Sequence, residues 1–212
     1  MAERTRISIG GLERTLRQAR EQLPFAMALT LTALAKDGQA EVERLMPTIF
    51  DRPTPFTQRA VGIVPASKAL PIARVLLKPT QATYLLRQVR GGLRQAARGE
   101  VIAPPVQIRT NAYGNIGRGR LASERQRSDT FVASAHDPAT AHLPPGLYRR
   151  ARRRARGSSG AASDLTLLVA FHPRAAYQAR FHFALIVERA VGRMVRQRAR
   201  EAVVRALTTA RR

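Results

Sequence analysis

The stretch "FALIVERAVGRMVRQRAREAVVRALTTA", residues 183–210, decides how the rest of the chain is read. Ala184, Val187, Val191, Val195, Ala199, Ala202, Ala206 and Ala210 recur at steps of three and four, the spacing of one helix face. A second face carries Arg189, Arg193, Arg196 and Arg200 at steps of four, three and four. The pattern predicts a C-terminal helix over 177–211, about 50 Å long at roughly 1.5 Å per residue. Such a helix has an apolar side for its own fold and a cationic side for something else.

Working back toward the N-terminus, Leu12, Leu16, Ala19, Leu23, Ala26, Thr30, Leu34, Val42 and Leu45 mark a second amphipathic helix over 12–46. Proline has no N–H to give a helix interior, so Pro24 is expected to kink or split it and Pro47 to end it. "FDRPTPFT", residues 50–57, holds two X-Pro bonds that favour extended backbone. It reads as a stiff arm or turn, with Phe50, Pro53, Pro55 and Phe56 as candidate subunit contacts. "RAVGIVPAS" (59–67) and "LPIARVLLK" (70–78) read as short strands, and "TQATYLLRQVRGG" (80–92) as a short helix stopped by its glycine pair.

Between 93 and 165 prolines and glycines punctuate short apolar runs. Candidate strands are 106–110, 129–135, 146–151 and 164–172. No helix of useful length lies between them, so antiparallel pairing is expected rather than crossover units. The run "RRARRRAR", residues 149–156, then falls in the loop of a long hairpin joining the last two. The expected fold is α+β, one structural domain over 1–212. A small antiparallel sheet (58–172, with loops) packs with a kinked N-terminal helix and a long C-terminal helix, with an extended arm and a long basic hairpin loop.

Composition narrows the function. Hydrophobic residues are 44% of the 212, but aromatics are 5% and tryptophan is absent, so the core is built from Ala, Leu and Val. The net charge is +23, which favours a polyanionic or acidic partner. Lysine occurs only at 36, 68 and 78; the remaining 34 basic residues are arginine, an excess that high-GC coding alone also tends to produce. Residues 1–80 hold 12 basic and 7 acidic groups, a net of +5, against 25 and 7, or +18, for 81–212. The absence of cysteine removes disulfides and thiolate metal sites. The longest apolar run, 23–35, is too short to span a bilayer, and neither an export signal nor a membrane anchor is expected.

No catalytic pattern stands out. His136, His142, His172 and His182 lack the spacing of a helical metal pair. The acids Glu124, Asp129, Asp137, Asp164, Glu188 and Glu201 form no DxD or ExxE arrangement, and no serine sits in G-x-S-x-G. "YGNIGRGR" (113–120) lacks the Lys-Ser/Thr pair of a phosphate loop and reads as a hairpin tip exposing Arg118 and Arg120. Neither enzymatic activity, nor a cofactor, nor a metal is expected. The candidate contacts with DNA or an acidic partner are Arg118, Arg120, Arg149, Arg150, Arg152, Arg153, Arg154, Arg156, Arg189, Arg193, Arg196 and Arg200. No sequence-reading motif accompanies them, and Tyr148 is almost the sole aromatic in the basic runs, which argues against base readout and base stacking.

Three stretches also carry a family resemblance. They are "ISIGGLERTLRQAREQLPFAMALTLTALAKDGQAEV", "FDRPTPFTQRAVGIVPASKALPIARVLLKPTQATYLLRQVRGGLR", and "GLYRR" followed by "LTLLVAFH" and the C-terminal helix. In this order the chain resembles the bacteriophage minor tail protein Z-like, or tail completion, family and related neck proteins. It differs from the lambda-type protein in the Pro-rich arm and the length of the central sheet. The resemblance implies a virion subunit of the head–tail junction, present in the host cytoplasm during assembly. It implies a homo-oligomeric ring, six-fold favoured and twelve-fold possible, around packaged double-stranded DNA held without sequence preference. The partners implied are the head–tail connector or adaptor and the tail terminator or tail tube. A stand-alone, sequence-nonspecific nucleic-acid-binding protein is the competing expectation.

Overall fold

The computed structural model describes residues 10–150 and 165–209. In chain order the elements are α1 (Gly10–Ile49), α2 (Pro55–Gln58), β1 (Val61–Val64), β2 (Arg74–Leu77), α3 (Pro79–Arg90), β3 (Gly92–Gln95), α4 (Arg120–Arg125), β4 (Thr130–Ala133), β5 (Gly146–Arg150), β6 (Leu165–Ala170), β7 (Arg174–Tyr177) and α5 (Phe183–Thr209). This is an α+β fold in which the long N-terminal and C-terminal helices pack together. Contacts divide the chain into two compact units where the sequence reading has one domain: Met1–Val89 with Phe181–Arg212, and Arg90–Arg180. The expected small antiparallel sheet is three: two of two strands and one of three.

In the first unit α1 and α5 run antiparallel. Ala26 meets Ala202 and Ala206 at one end, with Phe25 and Leu29 half-buried against them. At the other end Val42, Met46 and Phe50 join Phe181, Phe183, Ile186 and Val187. Small residues let the two backbones approach. A Cβ on Gly38 would lie 3.1 Å from Val187 Cγ1. α1 runs unbroken through Pro24 and Pro47, so of the kink or split expected at the first there is no split, and the stop expected at the second comes two residues later, at Ile49. Pro24 frees the carbonyl of Arg20, an exposed residue that water can reach, and Pro47 lies in the last turn. An interior proline costs about 3 kcal/mol. Burial of Val42 and Met46, each 0% exposed, offsets it at about 1.5–3 kcal/mol per side chain.

The buried side of α5 follows Ile186, Ala190, Met194, Arg198, Ala202 and Ala206. Ala184 and Val195, expected on the apolar face, are exposed. The helix also begins at Phe183 instead of 177, because residues 174–177 are β7, paired with β3 from Gly92↔Tyr177 to Gln95↔Arg174. β1 and β2 pair antiparallel from Val61↔Leu77 to Val64↔Arg74, and Val75 and Leu77 turn together toward the core as alternation predicts. α3 stops at its glycine pair as expected. Gly91 has φ +70°, and a Cβ there would sit 3.0 Å from the Tyr177 carbonyl, so the position needs glycine.

Of the arm or turn expected at 50–57, the structure has a turn and no extended arm. Phe50 is a core residue, its ring centroid 5.3 Å from that of Phe181 in an edge-to-face pair. The chain then turns into α2, whose first turn is capped by the Thr54 hydroxyl accepting from the Thr57 N–H, with Pro55 inside it. Pro53 is half-buried, while Pro55 and Phe56 are exposed. Proline suits the first turn of a helix as well as it suits an extended arm, which is why the sequence misled.

In the second unit β4, β5 and β6 form the three-stranded sheet in that order, with Phe131 opposite Tyr148 and Arg150 opposite Leu165. The expected hairpin therefore exists, though 151–164 lies outside the described residues. Residues 106–110 form no strand. Instead the N–H groups of Val106, Gln107 and Ile108 all point at the Leu168 carbonyl, and Ile108 is buried beside Leu147, Leu168 and Val169.

Candidate polyanion-binding surface

Arginine dominates two surfaces, one in each unit. On α5, Arg189, Arg196 and Arg200 are exposed and have no partner among the described residues. Arg193 differs: its Nη2 donates to Glu41 Oε1 at 2.8 Å. Arg44 holds the same carboxylate from within α1, through Nε at 2.8 Å and Nη2 at 3.0 Å. Hydrogen bonds from Arg44 and then Arg193 pull the Glu41 carboxyl down to about 2. Among the described residues the candidate stripe is therefore three charges without a partner and one that bridges the helix pair.

The sequence reading assigned Arg198 to neither face, yet it sits on the seam. Its fork grips Asp37 through Nε at 2.8 Å and Nη2 at 2.7 Å, and Nη1 donates to Glu201 at 2.9 Å. The hydrogen bond to Asp37, then that to Glu201, raises its pKa further. Asp37 and Arg198 are 161 positions apart, so no spacing pattern could have paired them.

In the second unit a shallow basin of about 590 Å3 is lined by Arg109, Arg118 and Arg120 together with Thr110, Asn111 and Ser123. Arg109 was not among the expected contacts. It follows the buried Ile108 in a segment read as a strand, and only the loop's path brings it to Arg118. Arg120 is partly committed, donating to Glu124 at 2.9 Å. Arg149 is a structural residue, because it ion-pairs with the same Glu124, which is 3% exposed. Arg150 lies over the Phe131 ring, 4.7 Å from its centroid, a cation–π contact that leaves the residue exposed. Arg152, Arg153, Arg154 and Arg156 lie outside the described residues.

The twelve expected contacts are thus not one site. Arg118 and Arg120 share the basin, Arg120 and Arg149 share Glu124, and the α5 set forms its own row. Nitrogen donors without an acid beside them can bind phosphate oxygens through charge-assisted, bidentate hydrogen bonds. Among the described residues no group of three or more His, Asp or Glu could hold a metal ion, and no helix is long and apolar enough to cross a membrane. In comparisons with known proteins the chain matches no family model, no curated protein and no solved structure.

Proposed function

We propose that this chain is a structural virion protein of a tailed bacteriophage: a ring-forming neck or tail completion subunit, without enzymatic activity, that joins the head connector to the tail around the DNA channel. The observation that carries this reading is the α1–α5 pair. It leaves Leu23 and Met27 on α1, and Leu185, Val203 and Val204 on α5, in solvent, with Val204 62% exposed. Side chains of this kind along a long helical scaffold suit coverage by neighbouring copies in a closed ring. The chain's net charge of +23 suits a place beside packaged DNA. The connector or adaptor on one side, and the tail terminator or tube on the other, are its partners in this reading.

The test is compositional. Mass spectrometry of purified particles should find the protein at a fixed ratio to the tail tube. Loss of its gene should leave filled heads and free tails. Absence from mature particles, or normal particles without the gene, would overturn the reading. A stand-alone, sequence-nonspecific nucleic-acid-binding protein is the second reading, favoured by Arg189, Arg196 and Arg200, which have no partner among the described residues. It requires the isolated monomer to bind duplex tightly, with affinity falling steeply as salt rises.

A further inference from the structure

We infer that the outward row of α5 is a docking surface for one strand of duplex DNA, with Arg189, Arg196 and Arg200 as its phosphate contacts and Gly192 as the point of closest approach. The inference rests on the reading that the chain works beside packaged DNA, and it names the face that does so.

The row is narrow and straight. At about 100° per residue, Arg189, Arg193, Arg196 and Arg200 fall within an arc of about 60°. At about 1.5 Å per residue they span about 16 Å of helix. Duplex DNA carries a phosphate of each strand about every 3.4 Å of its axis, a density at which a row of this length meets several of them. The nearest acids on the helix, Glu188 and Glu201, each lie roughly 110° from the centre of the row. Glu201 is moreover held by Gln197 at 2.8 Å and by Arg198 at 2.9 Å. No carboxylate on α5 therefore competes with a phosphate over this stretch.

Gly192 is the independent observation. It borders the row between Arg189 and Arg196, inside a helix of 27 residues where glycine is unfavourable. A Cβ there would meet nothing within 4 Å among the described residues, so no packing they make requires it. Glycine at such a place allows the backbone of another molecule to come close. A protein partner would be anchored near the centre by an aromatic or aliphatic side chain. Here Leu185 lies before the row and Val203 and Val204 after it; Val195, 41% exposed, is level with the middle but roughly 130° round the helix from the row's centre, where guanidinium groups and a glycine face outward. That favours a phosphate backbone over an acidic protein.

The test uses the full chain and a random-sequence duplex, with affinity measured from low to moderate salt. One variant carries Arg189→Gln, Arg196→Gln and Arg200→Gln. A control carries Arg59→Gln, Arg87→Gln and Arg94→Gln, three exposed arginines elsewhere with the same change in net charge. The α5 variant should flatten the slope of log K against log salt by about 0.9 per lost contact, close to 3 in total. The control should change it far less. Gly192→Gln should raise the melting temperature, since it restores a helix-forming side chain, and yet weaken duplex binding. Equal slope changes in the two triple variants would show net charge acting alone and overturn the inference. So would no binding by the unaltered chain at low salt, or full binding by Gly192→Gln. Each of these outcomes leaves the particle analysis untouched, so the neck reading stands or falls separately.

Discussion

Replacing Phe50 by alanine separates a core residue from an arm residue. The ring is 8% exposed and packs edge-on against Phe181, itself 0% exposed. An aromatic side chain buries about 150–250 Å2. At about 25 cal/mol per Å2 that is worth about 4–6 kcal/mol, an upper bound because the unfolded chain already hides part of it. Measured Phe→Ala costs in cores run at about 3–5 kcal/mol, which fits a site that relaxes only in part. In a chain of this size each kcal/mol lowers the melting temperature by about 2–4 °C, so the expected drop is about 6–20 °C. Phe56, at 54% exposure, is the matched control, and Phe56→Ala should stay within about 0.5 kcal/mol of the parent. Far-UV circular dichroism follows the loss directly, since α1 and α5 supply much of the helical signal. If Phe50→Ala melts like the parent and fails only in assembly, the ring belongs to an arm after all and the packing argument is wrong.

Three other outcomes follow from the same contacts. Pro24→Ala should raise the melting temperature, by about 1–3 kcal/mol of stability, because α1 gains a hydrogen bond it now lacks; unchanged melting would mean the helix is distorted there. Arg149→Ser should destabilise the second unit by about 1–3 kcal/mol through the loss of a partner for buried Glu124, whereas Arg150→Ser should not; equal effects in denaturant titrations would return Arg149 to the surface set. Glu41 has a folded pKa of about 2 against an ordinary 4.5, so its contribution is complete above about 4.5 and is lost as pH falls toward 2. Melting curves across that window should therefore fall less steeply for Glu41→Gln than for the parent.

The hairpin's basic run takes a different place once its ends are known. Arg150 pairs with Leu165, so 151–164 is bounded at both ends by the sheet and is not a free tail. Arg149 belongs to the fold and Arg150 rests on Phe131, so exchanging the whole run for serine mixes a stability defect with a binding one. Variants that begin at Arg152 avoid that confusion.

Periodicity determined what is local. Steps of three and four marked both long helices, alternation marked β2, short apolar runs bounded by prolines and glycines marked β1, β4, β5 and β6, and a glycine pair ended α3, because each signal is written within a few residues of where it acts. Tertiary structure decided the rest. It set the rotation of α5, which turned Ala184 and Val195 outward and drew Arg198 to the seam, because that depends on where Asp37 and the alanines of α1 lie. It also made Phe50 core, since two prolines read alike in an arm and in a helical turn until Phe181 packs against the ring. β7 escaped notice because Arg-Ala-Ala-Tyr holds no apolar run, and its partner β3 is distant in sequence. Which arginines remain free was settled the same way: a guanidinium's availability depends on carboxylates that the chain brings back from far along its length.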